Sequence, residues 1–118
     1  MFKKSVIALS TLLLTTASFA SYECVGEKFN FGVSPTESEN EYIGSIISKS
    51  GQLLLRVVLN EGELEPQDKK LFKTAFAGGN SRESFTLYIG KGKESSYLNI
   101  ERNIGGNSTY PLMCKKTK

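Results

Sequence analysis

The 118-residue sequence contains no histidine, no tryptophan and a single aspartate, Asp68. Without histidine, the chain cannot form a Ser-His-Asp triad or a Cys-His pair, and it has no histidine general base. Two cysteines alone do not complete a usual zinc site. Phosphate-cradling glycine motifs are missing too, because Gly90-Lys91-Gly92 lacks the spacing and the following helix. We therefore expect a protein that is not an enzyme and uses no metal or cofactor.

Glutamates leave one catalytic alternative open. A glutamate pair acting as acid and base could hydrolyse glycosides. The glutamates concentrate in residues 37–41 and 61–65, where the raised pKa that a general acid needs is hard to arrange. Solvated loops are the simpler interpretation of both segments, and residues 60–63 have the composition of a turn.

The first twenty residues have the pattern of a secretory signal peptide. Lys3 and Lys4 form a positive n-region, residues 6–17 form an apolar h-region, and Ser18-Phe19-Ala20 resembles a cleavage site. An uncleaved anchor is the alternative, but the apolar run is short for a membrane span. The expected mature domain, residues 21–118, then has no transmembrane segment. The short signal points to a bacterial protein that is periplasmic or secreted.

The charge of this mature domain is nearly balanced. Without Lys3 and Lys4, 13 basic and 12 acidic side chains remain, which is a net charge of +1. A nucleic-acid partner requires a concentrated basic face. We therefore expect no nucleic-acid partner.

Two cysteines, Cys24 and Cys114, lie near the two ends of the mature domain. An even number of cysteines in an exported protein predicts a disulfide, whereas two free thiols are the less suitable alternative in an oxidising compartment. In the chain-entropy model, a bridge that closes so long a loop stabilises the fold by about 4–5 kcal/mol. That contribution matters because a domain of this size buries only a modest core.

Alternation of apolar and polar residues predicts a small antiparallel β-barrel or sandwich of six to seven strands, closed by the terminal disulfide. The runs lie at residues 27–33, 41–48, 53–59, 85–89, 97–100 and 108–114. The run at 53–59 lacks alternation, which predicts a central strand covered on both faces. Pro111 predicts that the last strand lies at a sheet edge.

The segment 66–77 fits two structures. A proline and an aspartate near its start, and two glycines after its end, are helix signals. Phe72, Thr74 and Phe76, however, alternate as they would in a strand. A short helix and a strand both remain open at this stage.

The clearest hairpin has a Gly-Lys-Gly-Lys turn at residues 90–93, between two alternating runs. Exposed loop tips on a rigid β-scaffold often mediate recognition, and tyrosine is suited to interfaces. Alternatively, the lysines keep the turn soluble and the flanking tyrosines pack across the strand pair. We predict that this tip is the partner-binding site. Its residues are Tyr88, Lys91, Gly92 and Lys93.

Three short features occur together in this sequence. Tyr22-Glu23-Cys24 follows the signal peptide, a second cysteine lies near the end, and Lys91-Gly92 stands fourteen residues after Ala77-Gly78. This combination resembles the membrane-bound or periplasmic C-type lysozyme inhibitor family. The resemblance implies a small β-barrel that blocks lysozyme with two loops at one rim, and implies that Lys91 is the inserting lysine. Ala77 stands where that family has a serine, and Ser81 stands where it has a tyrosine.

The sequence therefore predicts an exported protein that binds a protein partner in the cell envelope or outside the cell. By resemblance, a lysozyme is one possible partner. A non-catalytic structural or accessory envelope protein with no small-molecule site is the alternative. An enzyme acting through glutamates is the third possibility.

Overall fold

The computed structural model describes residues 21–91 and 96–117. These residues form eight strands and one short 3-10 turn. In chain order they are β1 (Tyr22–Gly26), β2 (Phe29–Pro35), β3 (Glu41–Ser48), β4 (Leu53–Gly62), the 3-10 turn (Asp68–Lys70), β5 (Phe72–Gly79), β6 (Glu83–Gly90), β7 (Ser96–Arg102) and β8 (Asn107–Lys116). The predicted signal peptide, residues 1–20, lies outside the described residues.

Each strand pairs antiparallel with the next, and β8 pairs with β1, so the sheet closes into a barrel. Cys24 lies directly opposite Cys114 in the closing ladder, and the two are joined by a disulfide. The predicted all-β fold and terminal bridge are therefore confirmed, and of the two predicted architectures the barrel is the one formed. Closure removes the unpaired strand edges that otherwise invite aggregation.

The predicted number of strands was too low by at least one. The prediction placed the first strand at residues 27–33, but Glu27 and Lys28 form the turn of a hairpin and β1 precedes them. Tyr22 and Cys24 of β1 point inward while Glu23 and Val25 are exposed. A run of five residues beside the expected cleavage site contains too few apolar positions to stand out as a strand.

Both structures that the sequence allowed for residues 66–77 occur, one after the other. The helix signals correspond to the single 3-10 turn at Asp68–Lys70, and the alternating aromatic residues lie in β5. A register shift between Phe72 and Thr74 marks an irregularity where the chain enters the barrel. The helix signals at Pro66 and Asp68 thus produce a single 3-10 turn and no longer helix, because the apolar residues that follow pair with β6.

The inside of the barrel is filled with side chains. Alternation along every strand sends apolar residues inward, and the largest fully buried ones are Phe31, Phe76, Phe85, Leu59, Leu87 and Leu98. An eight-stranded barrel is narrow enough for side chains to fill it. The described barrel therefore carries a packed core along its axis, and its concave surfaces lie at the ends and on the outside.

The prediction that residues 53–59 are covered on both faces is wrong. Val57 and Leu59 are buried inside the barrel, but Leu54 and Val58 leave 56% and 46% of their surfaces exposed. In a closed barrel of this kind, only one face of each strand meets the core. The uniform apolar composition of this run therefore does not report a second covered face.

The prediction that Pro111 marks an edge strand is also wrong, because β8 pairs on both sides. Pro111 pairs with Tyr97 of β7. The pairing of β8 with β1 begins one residue after Pro111, at Leu112, which lies opposite Gly26. The missing backbone N–H therefore costs no hydrogen bond to β1.

The barrel has two different ends. The upper end contains the β2–β3 and β4–β5 connections together with Ser21, Lys91 and Thr117. The lower end contains the other four turns, at residues 27–28, 49–52, 80–82 and 103–106. Across the described ranges, the structure has no helix with the length and apolar character that a membrane crossing needs.

Candidate functional site

An open cleft of about 600 Å³ lies at the upper end of the barrel, and we call it the upper cleft. It brings together residues from the β2–β3 connection, β4, the β4–β5 connection, β5 and the residue that follows β6. The lining residues are Asn40, Glu61, Gly62, Glu63, Leu64, Lys69, Phe72, Lys73, Thr74 and Lys91. The three lysines among them are exposed. Lys69 and Lys73, four residues apart, thus line one concavity together with the distant Lys91.

Backbone hydrogen bonds help to hold the segments that carry Lys69 and Lys91 at the upper cleft. The N–H of Lys91 donates to the carbonyl oxygen of Leu71 at 3.0 Å, which ties the end of β6 to the β4–β5 connection. Lys69 lies in the 3-10 turn, where its own N–H donates to the oxygen of Glu65 at 3.1 Å. Lys73 follows in β5. The cationic cluster is therefore a product of the fold rather than of one sequence motif.

Glu61 occupies the mouth of the barrel beneath this cleft. Thr74 Oγ1 donates to Glu61 Oε2 at 2.6 Å, and the Tyr42 hydroxyl donates to Oε1 at 3.4 Å. The prediction that Glu61 lies in a solvated turn is wrong, since it belongs to β4 and is half-buried. Its position could have been found from the spacing, because Val57, Leu59 and Glu61 continue one inward alternation.

The Glu61 carboxylate contributes to raised pKa values in the two tyrosines that pack near it. Burial, and after it the charge of Glu61, raises the pKa of both Tyr22 and Tyr42 above the usual value of 10.0. Both rings pack edge-on against Phe76, with centroids 5.9 Å and 4.8 Å away. The upper mouth is thus closed by aromatic rings and one carboxylate, whose oxygens accept hydrogen bonds from neutral hydroxyl groups.

A second concavity, of about 270 Å³, lies on the outer surface of the barrel, and we call it the outer groove. Its lining residues are Asp68, Phe72, Tyr88, Tyr97, Asn99 and Thr109. The Phe72 ring lies between the other two, with centroids 5.2 Å from Tyr88 and 6.3 Å from Tyr97. Tyr88 and Tyr97 are register partners on β6 and β7. The predicted cross-strand packing of these tyrosines therefore runs through Phe72.

The predicted partner-binding residues do not form a single site. Lys91 is exposed in the upper cleft, whereas Tyr88 is half-buried in the outer groove. Phe72 lines both concavities and connects them. Gly92 and Lys93 lie outside the described residues. Lys69, Lys73 and Phe72 were missed by sequence reasoning, because only the docking of the β4–β5 connection on β6 brings them to Lys91.

Ala77-Gly78 and Lys91, which belong to the two segments that resemble lysozyme inhibitors, lie at different levels of the barrel. Ala77 pairs with Thr86, five residues before Lys91 on β6, which is about 17 Å at the usual rise of a strand. Ala77-Gly78 thus lies towards the lower end and Lys91 at the upper end. Packing explains Gly78 by itself, because a Cβ atom there would clash with the carbonyl oxygen of Val58. The arrangement of both segments at one rim, which the resemblance implied, is absent among the described residues.

Within residues 21–91 and 96–117, no group of three or more potential ligand side chains is placed to hold a metal ion. The upper cleft and the outer groove offer ammonium groups, carboxylates, aromatic rings, amides and hydroxyl groups. Aromatic rings and the long side chains of lysine can contact charged or amphipathic surfaces. Comparisons with protein-family models, with curated proteins and with solved structures find no match to this chain.

Proposed function

We propose that this chain is an exported binding protein that contacts an acidic surface of a protein partner with the lysines of its upper cleft. The observation that carries the proposal is the convergence of Lys69, Lys73 and Lys91 on one open cleft. Complementary charge speeds association and selects partners more than it adds affinity. The proposed role is therefore recognition, not catalysis.

The contrast between these three lysines and Lys49 supports this choice. At the lower end, Lys49 Nζ donates to the oxygen of Gly26 and to Asn30 Oδ1, both at 2.9 Å. Among the described residues, the side-chain nitrogens of Lys69, Lys73 and Lys91 make no such hydrogen bond or ion pair. Two glutamates share the cleft, but the carboxylate of Glu61 already accepts two hydrogen bonds. The ammonium groups of the upper cleft are thus available to a partner.

Export is part of the same proposal. It is supported by the signal-peptide pattern of residues 1–20 and by the Cys24–Cys114 disulfide, which suits an oxidising compartment. The periplasm and the outside of the cell both satisfy these features.

We propose binding in this broader form rather than lysozyme inhibition. An inhibitor of the kind implied by the resemblance uses two loops at one rim, and here Ala77-Gly78 and Lys91 lie about 17 Å apart along β6. We expect no inhibition when the purified protein is titrated against a C-type lysozyme. Saturable inhibition that is lost in Lys91→Glu would restore lysozyme as the partner.

Chemical cross-linking in the native periplasm or medium, followed by capture of the tagged protein, tests the proposal. Lys91→Glu should abolish the cross-linked partner and Lys69→Glu should weaken it, since each reverses one cation of the cleft. Lys28→Glu is the matched control, because Lys28 is exposed in a lower-end turn. Capture should also fall with added salt, since exposed charges are screened beyond about 10 Å at 0.1 M.

The alternative is a structural or accessory envelope protein with no defined contact site. It predicts either no specific cross-linked partner or a partner that is unaffected by all three charge reversals. Equal loss in Lys91→Glu and Lys28→Glu would also reject the upper cleft, because it would show a dependence on overall charge alone.

A further inference from the structure

The outer groove combines two kinds of surface that the upper cleft does not. One wall is aromatic, formed by Phe72, Tyr88 and Tyr97, and Tyr97 keeps 37% of its surface exposed. The other wall is polar, formed by side chains of β7, β8 and the 3-10 turn. Packing across the strands explains why the rings touch one another, but it does not explain the polar wall beside them.

The polar wall carries both hydrogen-bond donors and acceptors. Asn99 Oδ1 accepts a hydrogen bond from Thr109 Oγ1 at 3.2 Å, which fixes the amide with its Nδ2 group as the remaining donor. Within the described part of the chain, that Nδ2 group donates to no protein acceptor. The half-buried carboxylate of Asp68 adds an acceptor on the side of the 3-10 turn. No lysine or arginine lines the groove.

We propose that the outer groove is a binding site for a neutral saccharide. A sugar ring has an apolar face of C–H groups that packs on aromatic rings, and a rim of hydroxyl groups that donate and accept hydrogen bonds. The groove presents both matching surfaces within about 270 Å³, slightly below the usual range for ligand pockets. Its volume fits one or two sugar rings lying against Tyr97, with the rest of a glycan chain extending into solvent.

A proline-rich peptide is the other class of ligand that docks in aromatic grooves. Such a peptide requires a row of rings with apolar gaps between them. Here the rings are bordered by the polar side chains of Asn99, Thr109 and Asp68. The chemistry of the groove therefore favours a ligand with many hydroxyl groups.

An NMR titration of the full-length mature protein with neutral trisaccharides tests this proposal. Cellotriose and chitotriose are suitable probes, because they present glucose rings with and without N-acetyl groups. We expect saturable amide shifts, with a Kd of about 1 mM or tighter for one of them, confined to residues around Phe72, Tyr88, Tyr97 and Asn99. Absence of saturable shifts with both probes, or shifts centred elsewhere, would overturn the proposal.

Matched variants separate a binding role from a structural one. Tyr97→Ala should weaken binding at least tenfold, about 1.4 kcal/mol, whereas Tyr97→Phe should retain most of it because the ring remains. Met113→Ala is the control, since Met113 is an exposed side chain of β8 outside the groove. Asn99→Ala should also weaken binding while leaving the thermal midpoint almost unchanged. Equal affinities of Tyr97→Ala and Met113→Ala would contradict the assignment.

This inference stands apart from the proposed function, because it uses none of the three lysines. Lys91→Glu should leave the trisaccharide shifts unchanged, and Tyr97→Ala should leave the salt-dependent partner in place. Saturable binding of a proline-rich peptide in the groove, with no response to either sugar, would assign the groove to a peptide and overturn the saccharide.

Discussion

The two ends of this barrel close the hydrophobic interior with side chains of opposite charge. Each must close a hydrophobic interior, and each uses a tyrosine beside a charged side chain. The upper end places the carboxylate of Glu61 among tyrosines, whereas the lower end places the guanidinium of Arg102 beside Tyr110. At the lower end, Arg102 and Lys49 are engaged in contacts within the protein. Among the described residues, the upper end instead places three lysines without such contacts around one cleft, and the proposed contact site lies there.

The largest effect should come from the disulfide, which protects the end where the chain begins and finishes. Cys24 and Cys114 pair two positions below Tyr22 and Lys116, at the upper ends of β1 and β8. Replacing both cysteines by alanine should cost about 4–5 kcal/mol, because the bridge closes a loop of some 90 residues. Denaturant unfolding measures this loss. Amide exchange should increase first in β1 and β8.

If removal of the disulfide instead accelerates amide exchange equally in all eight strands, the two ends of the barrel unfold together and do not differ in local stability. Reduction of the wild-type protein is the control, since it breaks the bridge while both residues keep their sulfur atoms. Agreement between the reduced protein and the double variant would assign the whole effect to the bridge.

The next effect should separate the cores of the two ends. Phe76 is 1% exposed and packs against both upper tyrosines, so Phe76→Ala should cost about 3–5 kcal/mol. Phe29 packs edge-on against Tyr110 at the lower end, with centroids 5.0 Å apart, but it is only half-buried. Phe29→Ala should therefore cost clearly less. Chemical denaturation of the two variants measures the difference, and equal losses would show that the lower end is packed as tightly as the upper.

The strand pattern was largely readable from the sequence, because alternation reports which side of a strand faces a core. Residues 41–48 and 85–89 are strands as predicted, and the paired cysteines lie where a terminal bridge requires them. The run at 53–59 misled, because exposed Leu54 and Val58 hide the alternation of Val57 and Leu59.

The candidate sites were harder to predict, for a physical reason. Lys69 and Lys91 are distant in sequence, and a hydrogen bond between Lys91 and Leu71 brings their segments together. Glu61 lies among other glutamates, and composition alone assigned it to solvent. Local patterns predict local elements, whereas the composition of a cleft depends on which elements meet.

Alkaline pH should distinguish the two tyrosine environments. Burial and Glu61 raise the pKa of Tyr42, so its stabilising contribution is complete below about pH 10 and is lost as the pH rises through the folded-state value. Hydrogen bonds with Arg102 and Ser108 lower the pKa of Tyr110, so its contribution grows as the pH rises towards 10. Stability measured between about pH 8 and pH 11 should therefore fall less steeply in Tyr42→Phe and more steeply in Tyr110→Phe.

Glu61→Gln sharpens that test. Without the carboxylate, the pKa of Tyr42 should move down towards its usual value, which the ultraviolet absorbance of tyrosinate detects. Identical alkaline slopes in wild type, Tyr42→Phe and Tyr110→Phe would show that neither end senses tyrosine ionisation.

The smallest effect should come from the ion pair at the lower end. Arg102 Nε lies 3.4 Å from Glu83 Oε2, and the two side chains are 30% and 27% exposed. Partly exposed pairs contribute about 0–1 kcal/mol, so Glu83→Gln should change the unfolding free energy by no more than that, and less at high salt. Arg102→Met should cost more, because Arg102 Nη1 also donates to Ser108 Oγ at 3.0 Å and because Arg102 hydrogen-bonds with Tyr110. If Glu83→Gln costs as much as Arg102→Met, the ion pair itself stabilises the lower end. The two ends would then differ only in the sign of the charge that each places beside its tyrosine.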